Sequence, residues 1–443
     1  MNAKTTQSTQ PTSSTSNKKV VYIVDGLRTP FLKARGRPGP FSASDLAVTA
    51  GRALLSRQPF PPTAIEETVI GCMMPSENEA NIGRVIGLRL GCGDNVPGWT
   101  VQRNCGSGMQ ALDSALKDIL SERVDLVLAG GTETMSHAPI LYNSKMVNWF
   151  SNLARAKTPI EKTKVMFKMP MSAVLHPIIA LKCGLTDPLT GLDMGQTAEN
   201  LAYLFNITRE EMDEFALRSH QRVLAAQKEG HLNEVIPAYG VDGKLFPQDD
   251  GVRADTSMSA LASLKPFFDR KFGMVTAGNS SQVSDGAAML ILASEKAVEK
   301  YNLPWLAKIV DVNWGALNPD VMGLGPVMAS TPLMIKHDLS FDDIDYWEIN
   351  EAFSAQVLAC VKAWQDEAFC KKNFGLDRAF GKLNMETLNV DGGAVALGHP
   401  VGASGARIVL HLAHVLRRNN AKRGMAAICI GGGQGGAMLL ETE

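Results

Sequence analysis

Apolar positions along this chain follow two periods, and the alternation between them predicts an α/β organisation. The run V-V-Y-I-V within Lys19–Val24 predicts a first strand. A polar loop rich in glycine and proline follows through Pro40. Ser44–Leu55 has apolar residues at helical spacing, and Ser44 stands where an N-cap is expected. Thr68–Gly71 begins another short strand. The pattern is clearest between Pro97 and Met135. Trp99–Arg103 predicts a strand, Asn104–Gly108 a turn, Met109–Leu120 an amphipathic helix and Asp125–Ala129 a buried strand. Gly130–Thr134 closes the unit.

The C-terminal end repeats that order. Leu388–Val390 leads into Asp391-Gly392-Gly393, and a longer glycine turn spans Gly398–Gly405. Ala406–Arg417 predicts a helix, Met425–Ile430 a buried strand, and Gly431–Gly436 a closing turn. Any α/β protein repeats such units. The matched placement of the glycine turns favours a duplicated fold.

The region between the halves reads differently. Leu141–Lys182 holds seven Lys or Arg and one acidic residue, together with Met146, Trp149, Phe150, Met166 and Phe167. It is either a solvated, partly helical insertion or a surface for a membrane, a partner or an acyl chain. Ala198–Gln227 predicts two helices, the second capped by Thr208 with Glu211 completing a capping box. Tyr346–Ile349 predicts a strand ahead of Asn350-Glu351.

Composition narrows the function classes. A chain of 443 residues exceeds one small domain and implies two or three packed units. With 45% hydrophobic and 20% charged residues it is an ordinary globular composition. A net charge of -1 supplies no field for nucleic acid. The seven cysteines are odd in number and contain no C-x-x-C, which argues against a disulfide framework or a structural zinc. Reduced thiols point to an intracellular setting. No apolar run reaches the roughly 20 residues a membrane span needs. Residues 1–19, rich in Ser, Thr and Gln, are read as a disordered tail.

Four places carry candidate chemistry. Cys105, in N-C-G-S-G, sits between a strand and a helix. The helix dipole and free N–H groups there favour a thiolate, and the same N–H groups suit an oxyanion. A lone cysteine is also often just a small buried hydrophobe. His399 lies in G-H-P-V-G-A-S-G, where a ring beside a thiol would act as its base. The bland alternative is a hydrogen-bonded structural histidine. Cys429, before Gly431–Gly436, is a second thiol suited to acid or base work, or to strand packing. Asn350-Glu351 suits substrate or water positioning, or an ordinary helix N-cap.

Taken together these segments closely resemble the thiolase family. The matching stretches are N-C-G-S-G-M-Q-A at 104–111, A-G-G-T-E-T-M at 129–135 and D-M-G-Q-T-A-E-N at 193–200. They continue with T-A-G-N-S-S at 276–281, N-E-A-F at 350–353, G-G-A-V-A-L-G-H-P-V-G-A-S-G at 392–405 and C-I-G-G-G-Q-G at 429–435. The resemblance runs in family order from near residue 20 to the C-terminus.

The resemblance implies a thiolase fold: two similar α/β halves in five layers, α-β-α-β-α, with an inserted loop domain. On that basis residues 20–136 with 273–297 form the N-terminal domain, 137–272 the loop domain and 298–443 the C-terminal domain. It implies a 3-ketoacyl-CoA thiolase of fatty-acid β-oxidation with ping-pong chemistry. Cys105 would be the nucleophile, His399 its base, and Cys429 the acid and base at the acetyl carbon. His399 and, through a water, Asn350 would hold the enolate oxygen. The N–H groups of Cys105 and Gly431 would form a second oxyanion hole. Ser281, Met194 and Phe353 would line the substrate and CoA pocket. Coenzyme A would be a co-substrate, with no tightly bound cofactor and no metal. A homodimer or tetramer is implied.

Two features depart from the family or specialise it. Many thiolases carry His where this chain has Asp193. The 141–182 insertion looks like that of the β-subunits of fatty-acid oxidation complexes, although those often carry His where this chain has Asn350. That insertion suggests a hydratase/dehydrogenase partner subunit or a peripheral membrane contact. The expected location is cytoplasmic, or mitochondrial in a eukaryote. The alternatives weighed are a short-chain acetoacetyl-CoA thiolase and a non-catalytic acyl-CoA-binding or scaffold subunit. A ketoacyl synthase would lack Cys429 and its C-I-G-G-G-Q-G.

Overall fold

The structure is a computed structural model that describes residues 19–443. The tail expected at 1–19 lies, but for its last residue, outside the described residues. A ten-stranded sheet runs through the molecule. From one edge its order is Tyr346–Ile349, Arg423–Ile430, Gln434–Glu441, Ala307–Ala316, Val21–Arg28, Ser284–Ser294, Leu126–Thr134, Glu67–Gly71 and Gly98–Val101. The short strand Leu32–Lys33 pairs off this path with Ser284 and Asp285.

Within this sheet the two halves are still visible. They join only where Val21, Tyr22 and Ile23 pair with Ile309, Lys308 and Ala307. Each half has parallel strands toward its outer edge and antiparallel strands toward the seam. Three hydrophobic cores separate the layers. One packs Ala43–Ser56 and Ile82–Arg89 on the outer face of the first half, through Leu46, Leu54, Ile82 and Ile86. A second packs Gly325–Lys336 and Ser354–Gln365 on the outer face of the other half, through Val327, Leu333, Val357 and Trp364. The third lies in the middle, where Ser107–Leu120 and Val401–Arg418 are held between the halves by Leu112, Leu116, Ile408 and Leu412. Each helix offers its apolar stripe to a sheet face, and the middle helices are enclosed on both sides.

Several elements differ from the reading of the sequence, each for a physical reason. Ser42, not Ser44, caps Ala43–Ser56, in a capping box with Asp45. Ser44 is buried inside the helix, where its N–H donates to Glu79. Glycine-rich stretches expected as turns are largely regular structure. Helix Val401–Arg418 contains Gly402 and Gly405, helix Ser107–Leu120 contains Gly108, and strand Leu126–Thr134 contains Gly130 and Gly131. Their role is close approach. A Cβ on Gly405 would lie 2.5 Å from the Met109 backbone nitrogen, and one on Gly131 would meet the Gly402 carbonyl. Leu388–Val390 is not a strand; Leu388 makes a single bridge to Trp347. Asn350 is no N-cap, because Ser354–Gln365 starts after Phe353 and has no side-chain cap. The Thr208–Glu211 capping box is as read.

The insertion folds on a small core of its own. Helices Ser144–Arg155, Pro159–Met166 and Met171–Leu175 surround Met146, Trp149 and Ala173, and the Trp149 indole N–H donates to the Val165 carbonyl at 2.8 Å. Ile140, Ile160, Phe167 and Leu175 remain exposed on it. Among the described residues no helix is long and apolar enough to cross a membrane, and no cluster of side chains could hold a metal ion.

Candidate active site

Ligands of open α/β sheets bind beyond the carboxyl ends of parallel strands. Three candidate residues sit at such ends. Cys105 follows Gly98–Val101, Asn350 follows Tyr346–Ile349, and Cys429 is the penultimate residue of Arg423–Ile430. The last two strands are parallel neighbours, and the Asn350 N–H donates to the Ala427 carbonyl at 2.9 Å.

The nucleophile turn is built by local bonds. Asn104 takes a left-handed conformation (φ 44°), which asparagine tolerates better than most residues. Its carbonyl accepts from the Ser107 N–H and hydroxyl, and the Ser107 Oγ in turn accepts from the Arg103 N–H. The Asn104 amide reaches across the seam and donates to the Gly431 carbonyl at 2.9 Å. The glycine turn at 431–433 has positive φ at Gly432 and Gly433. Thus two turns far apart in sequence, one from each half, are joined directly. Backbone N–H groups of Gly431 and of Cys105 itself face the Cys105 sulfur and favour its thiolate. Burial acts more strongly and raises its pKa, with Glu133 adding to the rise. The N–H groups favour the thiolate, as the sequence leads one to expect, but the pull of the helix N-terminus does not overcome burial. The cost of removing charge from water outweighs it.

Cys429 is buried, and burial pushes its thiol well above its usual range, with Cys105 the next cause and Cys360 after it. The two candidate thiols are thus near enough to influence each other.

His399 is buried at the head of Val401–Arg418. Its Nδ1 lies 2.6 Å from Ser404 Oγ. That hydroxyl donates to the Pro400 carbonyl at 3.0 Å, so it accepts from the ring and assigns the proton to Nδ1. Nε2 is then a free lone pair, buried and without a partner. Burial, and secondarily the Arg407 charge, lower the ring pKa to about 4. The helix bearing His399 packs on the helix bearing Cys105 through glycine contacts: Gly405 on Met109, and Gly108 on Gly402 and Ala406.

Asn350 is fully buried, and neither its Oδ1 nor its Nδ2 has a partner. Orphaned buried amides are costly, so this one is aimed at something the protein alone does not provide. Segment 281–282 links it to the histidine: the Ser281 N–H donates to the Ala352 carbonyl at 2.9 Å, and the Gln282 carbonyl accepts from the His399 N–H at 3.0 Å. Ser281 is half-buried at this junction. Met194 covers Gly431, where a Cβ would lie 3.2 Å from its sulfur. Phe353 is buried edge-on to Phe268 at 5.9 Å. Asp193 caps its helix in a capping box with Gln196.

Sequence reasoning paired Glu351 with Asn350 for substrate. Glu351 instead accepts from the Ser219 hydroxyl (2.6 Å), the Asn389 amide (2.8 Å) and the Val395 N–H (3.2 Å). It is a tie between segments. Two supporting residues went unnoticed in the sequence. Ser404 was visible only as part of a glycine motif, five residues after His399. Glu133 accepts from the N–H groups of Met73, Met74 and Gly402, and burial raises its pKa to about 7. Nothing in its spacing marked it as a hub.

Comparison with known proteins identifies the family. Residues 21–296 match the family described as "Thiolase, N-terminal domain", and residues 303–442 match "Thiolase, C-terminal domain". The "3-ketoacyl-CoA thiolase, mitochondrial" of Rattus norvegicus is 39% identical over 427 residues, covering 95% of this chain and 98% of that protein. The "Trifunctional enzyme subunit beta, mitochondrial" of Bos taurus is 37% identical over 429 residues, covering 96% and 89%. Among solved structures, human mitochondrial 3-ketoacyl-CoA thiolase in complex with CoA superposes with a TM-score of 0.81 at 36% identity, covering 96% of this chain and 98% of that one. The acetyl-CoA acetyltransferase of Bacillus anthracis also gives 0.81, at 34% identity, covering 96% and 99%.

Proposed function

The chain belongs to the thiolase family, and from that premise we propose how its own residues carry the reaction. It is an acyltransferase of the 3-ketoacyl-CoA thiolase type, an enzyme of fatty-acid β-oxidation with coenzyme A as substrate. The observation that supports the residue roles best is the junction of the two turns, where the Gly431 N–H faces the Cys105 sulfur with Cys429 beside it.

His399 Nε2 removes the Cys105 proton as the thiolate attacks the 3-oxo carbon. The C2–C3 bond breaks, and its electron pair passes to the acetyl-CoA unit as an enolate. The His399 proton and the Asn350 amide, the latter through a water, hold the enolate oxygen, and that water is the partner the buried amide otherwise lacks. Cys429 protonates C2, and acetyl-CoA leaves. Cys429 then regains a proton from the thiol of free CoA, whose sulfur attacks the acyl-Cys105 thioester. The N–H groups of Cys105 and Gly431 hold the oxyanion, and the released Cys105 thiolate recovers its proton from His399. Protons balance over the cycle. Ser281, Met194 and Phe353 line the approach.

Long-chain degradation is the reading favoured by the likeness to the β-oxidation thiolases. The equal likeness to an acetyl-CoA acetyltransferase keeps a short-chain acetoacetyl-CoA thiolase as the second reading. Thiolysis of a long-chain 3-oxoacyl-CoA and of acetoacetyl-CoA, by wild type and Cys105→Ala, separates them. Long-chain cleavage lost in the variant supports the first. Cleavage of acetoacetyl-CoA alone supports the second, and inactivity of folded wild type toward both sinks each. The relatives named trifunctional enzyme subunit beta support a partner subunit, and the exposed apolar and basic residues of 141–182 support that insertion as its dock. Deleting 145–180 then abolishes co-purification with a hydratase/dehydrogenase subunit; loss of vesicle binding instead would make it a membrane contact. The names of the same relatives support a mitochondrial location in a eukaryote, and a homo-oligomer is the expectation of the family resemblance.

A further inference from the structure

The two groups assigned to the enolate oxygen stand on different elements. His399 heads Val401–Arg418 in the middle layer, and Asn350 ends Tyr346–Ile349 in the sheet. A buried polar stripe runs down that helix at one-turn intervals, Ser404, Arg407 and His411, with the half-buried Arg418 two turns further on. On the strand, side chains alternate. Trp347 and Ile349 enter the outer core, while Glu348 takes the opposite face, toward the middle helices. Arg407 and Glu348 meet there, both buried, with Nη1 2.9 Å from Oε2. This is the side-chain bond between the His399 helix and the Asn350 strand.

Resting on the reaction read above, we infer that the Arg407–Glu348 pair positions His399 against Asn350 and holds a cation one helical turn from the serine that orients the His399 ring. Arg407 lies one helical turn beyond the serine that orients the ring, and after burial its charge is the next cause that holds the ring's pKa down. A cation so placed opposes formation of an imidazolium, and burial limits its screening. Glu348 anchors the cation by hydrogen bond and, because burial raises its pKa to about 7, by full charge only above that pH. The groups that face the pair are His411 from the helix, Asp391 from the loop before it and Glu351 from the segment after the strand. Beyond His411 lie Glu234 and His414. Those groups act on Glu348 or on His411.

The pair therefore has two separable effects, and two variants separate them. Arg407→Met removes the cation and the bond; Glu348→Gln keeps the cation but replaces the charge-assisted bond by a weaker one to a neutral amide oxygen. In both, kcat for thiolysis falls on the order of tenfold or more with KM little changed, because the histidine and amide lose register. The charge effect appears in iodoacetamide alkylation of the Cys105 peptide, followed by mass spectrometry from pH 5 to 9. In Arg407→Met, His399 accepts the thiol proton more readily, and Cys105 alkylates about tenfold faster at the acid end, the equivalent of about one pH unit. In Glu348→Gln alkylation is no faster than in wild type. Faster alkylation combined with slower turnover is an outcome that general loosening does not produce selectively in one variant. Equal behaviour of the two variants in alkylation, or wild-type kcat in Arg407→Met, overturns the inference. If Arg407→Met does not fold, Arg407→Lys keeps the charge but not the guanidinium geometry. It is expected to show lowered kcat with wild-type alkylation, and accelerated alkylation there overturns the charge effect. Inactive wild type would instead refute the reaction, while the alkylation comparison would still report on the pair.

Discussion

Replacing Gly405 by alanine tests whether the seam between the two middle helices controls the chemistry. The added methyl carbon would stand 2.5 Å from the Met109 backbone nitrogen and 2.9 Å from its Cβ. Ordinary contact needs about 3.5 Å, so the helices must part by about 1 Å. No rotamer relieves this, because the nearest atom is backbone. Two effects on stability compete. Alanine gains about 1 kcal/mol over glycine in a helix interior. Overpacking a close-packed core costs about 1–3 kcal/mol. The net loss is therefore at most about 2 kcal/mol, and the protein should still fold. Function is far more sensitive. These helices carry Cys105 and His399, and a displacement of about 1 Å between reacting groups costs on the order of 100-fold. The expected result is a small fall in urea midpoint and a fall in kcat of about two orders of magnitude on acetoacetyl-CoA. Wild-type kcat, within about twofold, in a folded Gly405→Ala protein would refute the reasoning.

Three other predictions concern protons. Ser404→Ala leaves the His399 Nδ1–H without its acceptor and frees the ring to change tautomer. Thiolysis kcat should fall about tenfold with KM unchanged, and an unchanged kcat would show that the serine does not fix the ring. Burial opposes the His411 charge, but Glu234 and Asp391 on either side outweigh it and raise its pKa to about 10. Its stabilisation is full below about pH 6.5 and is lost as pH rises toward 10, so wild-type urea midpoints should decline across that window. His411→Gln should be less stable by about 3 kcal/mol near neutral pH and show a flatter decline; parallel curves would remove His411 from the account. Finally, Cys105 in the free wild-type enzyme should alkylate slowly at pH 7 and faster as pH rises past the ordinary thiol range, since its pKa is raised. A plateau already reached near pH 6 would indicate a resting thiolate instead.

Much of the fold was legible because each local signal agreed with the tertiary arrangement. The Thr208–Glu211 box, the apolar stripe of Ser107–Leu120 and the buried strand at Arg423–Ile430 all satisfy a local rule and a global one. The failures have one cause. Gly402, Gly405, Gly108 and Gly131 were read as turn residues, because glycine signals a turn when only neighbours in sequence are considered. Their reason lies across the seam, in backbones that approach too closely for any Cβ. Ser44 was misread for a similar reason: it resembles a cap, but its partners, Glu79 and Arg89, belong to another segment.

The same distinction governs the site. The groups proposed to touch substrate, Cys105, His399, Cys429 and Asn350, sit at motif positions where reactive types are unusual enough to notice. The groups that hold them do not. Ser404, Arg407, Glu348 and Glu133 are common residues whose importance comes from burial and from partners supplied by distant segments. Charge states were also beyond one-dimensional reading. A helix N-terminus predicts a thiolate, but enclosing both thiols and the ring on several sides raises Cys105 and Cys429 and lowers His399. All three therefore rest uncharged. For thioester exchange this arrangement is coherent. A permanent thiolate–imidazolium pair would leave His399 already protonated before substrate arrived and would expose a reactive sulfur to oxidants. In a neutral site, charge develops only when the acyl oxygen enters and meets the waiting N–H groups. The binding energy of the substrate is then directed to the step in which the charge forms.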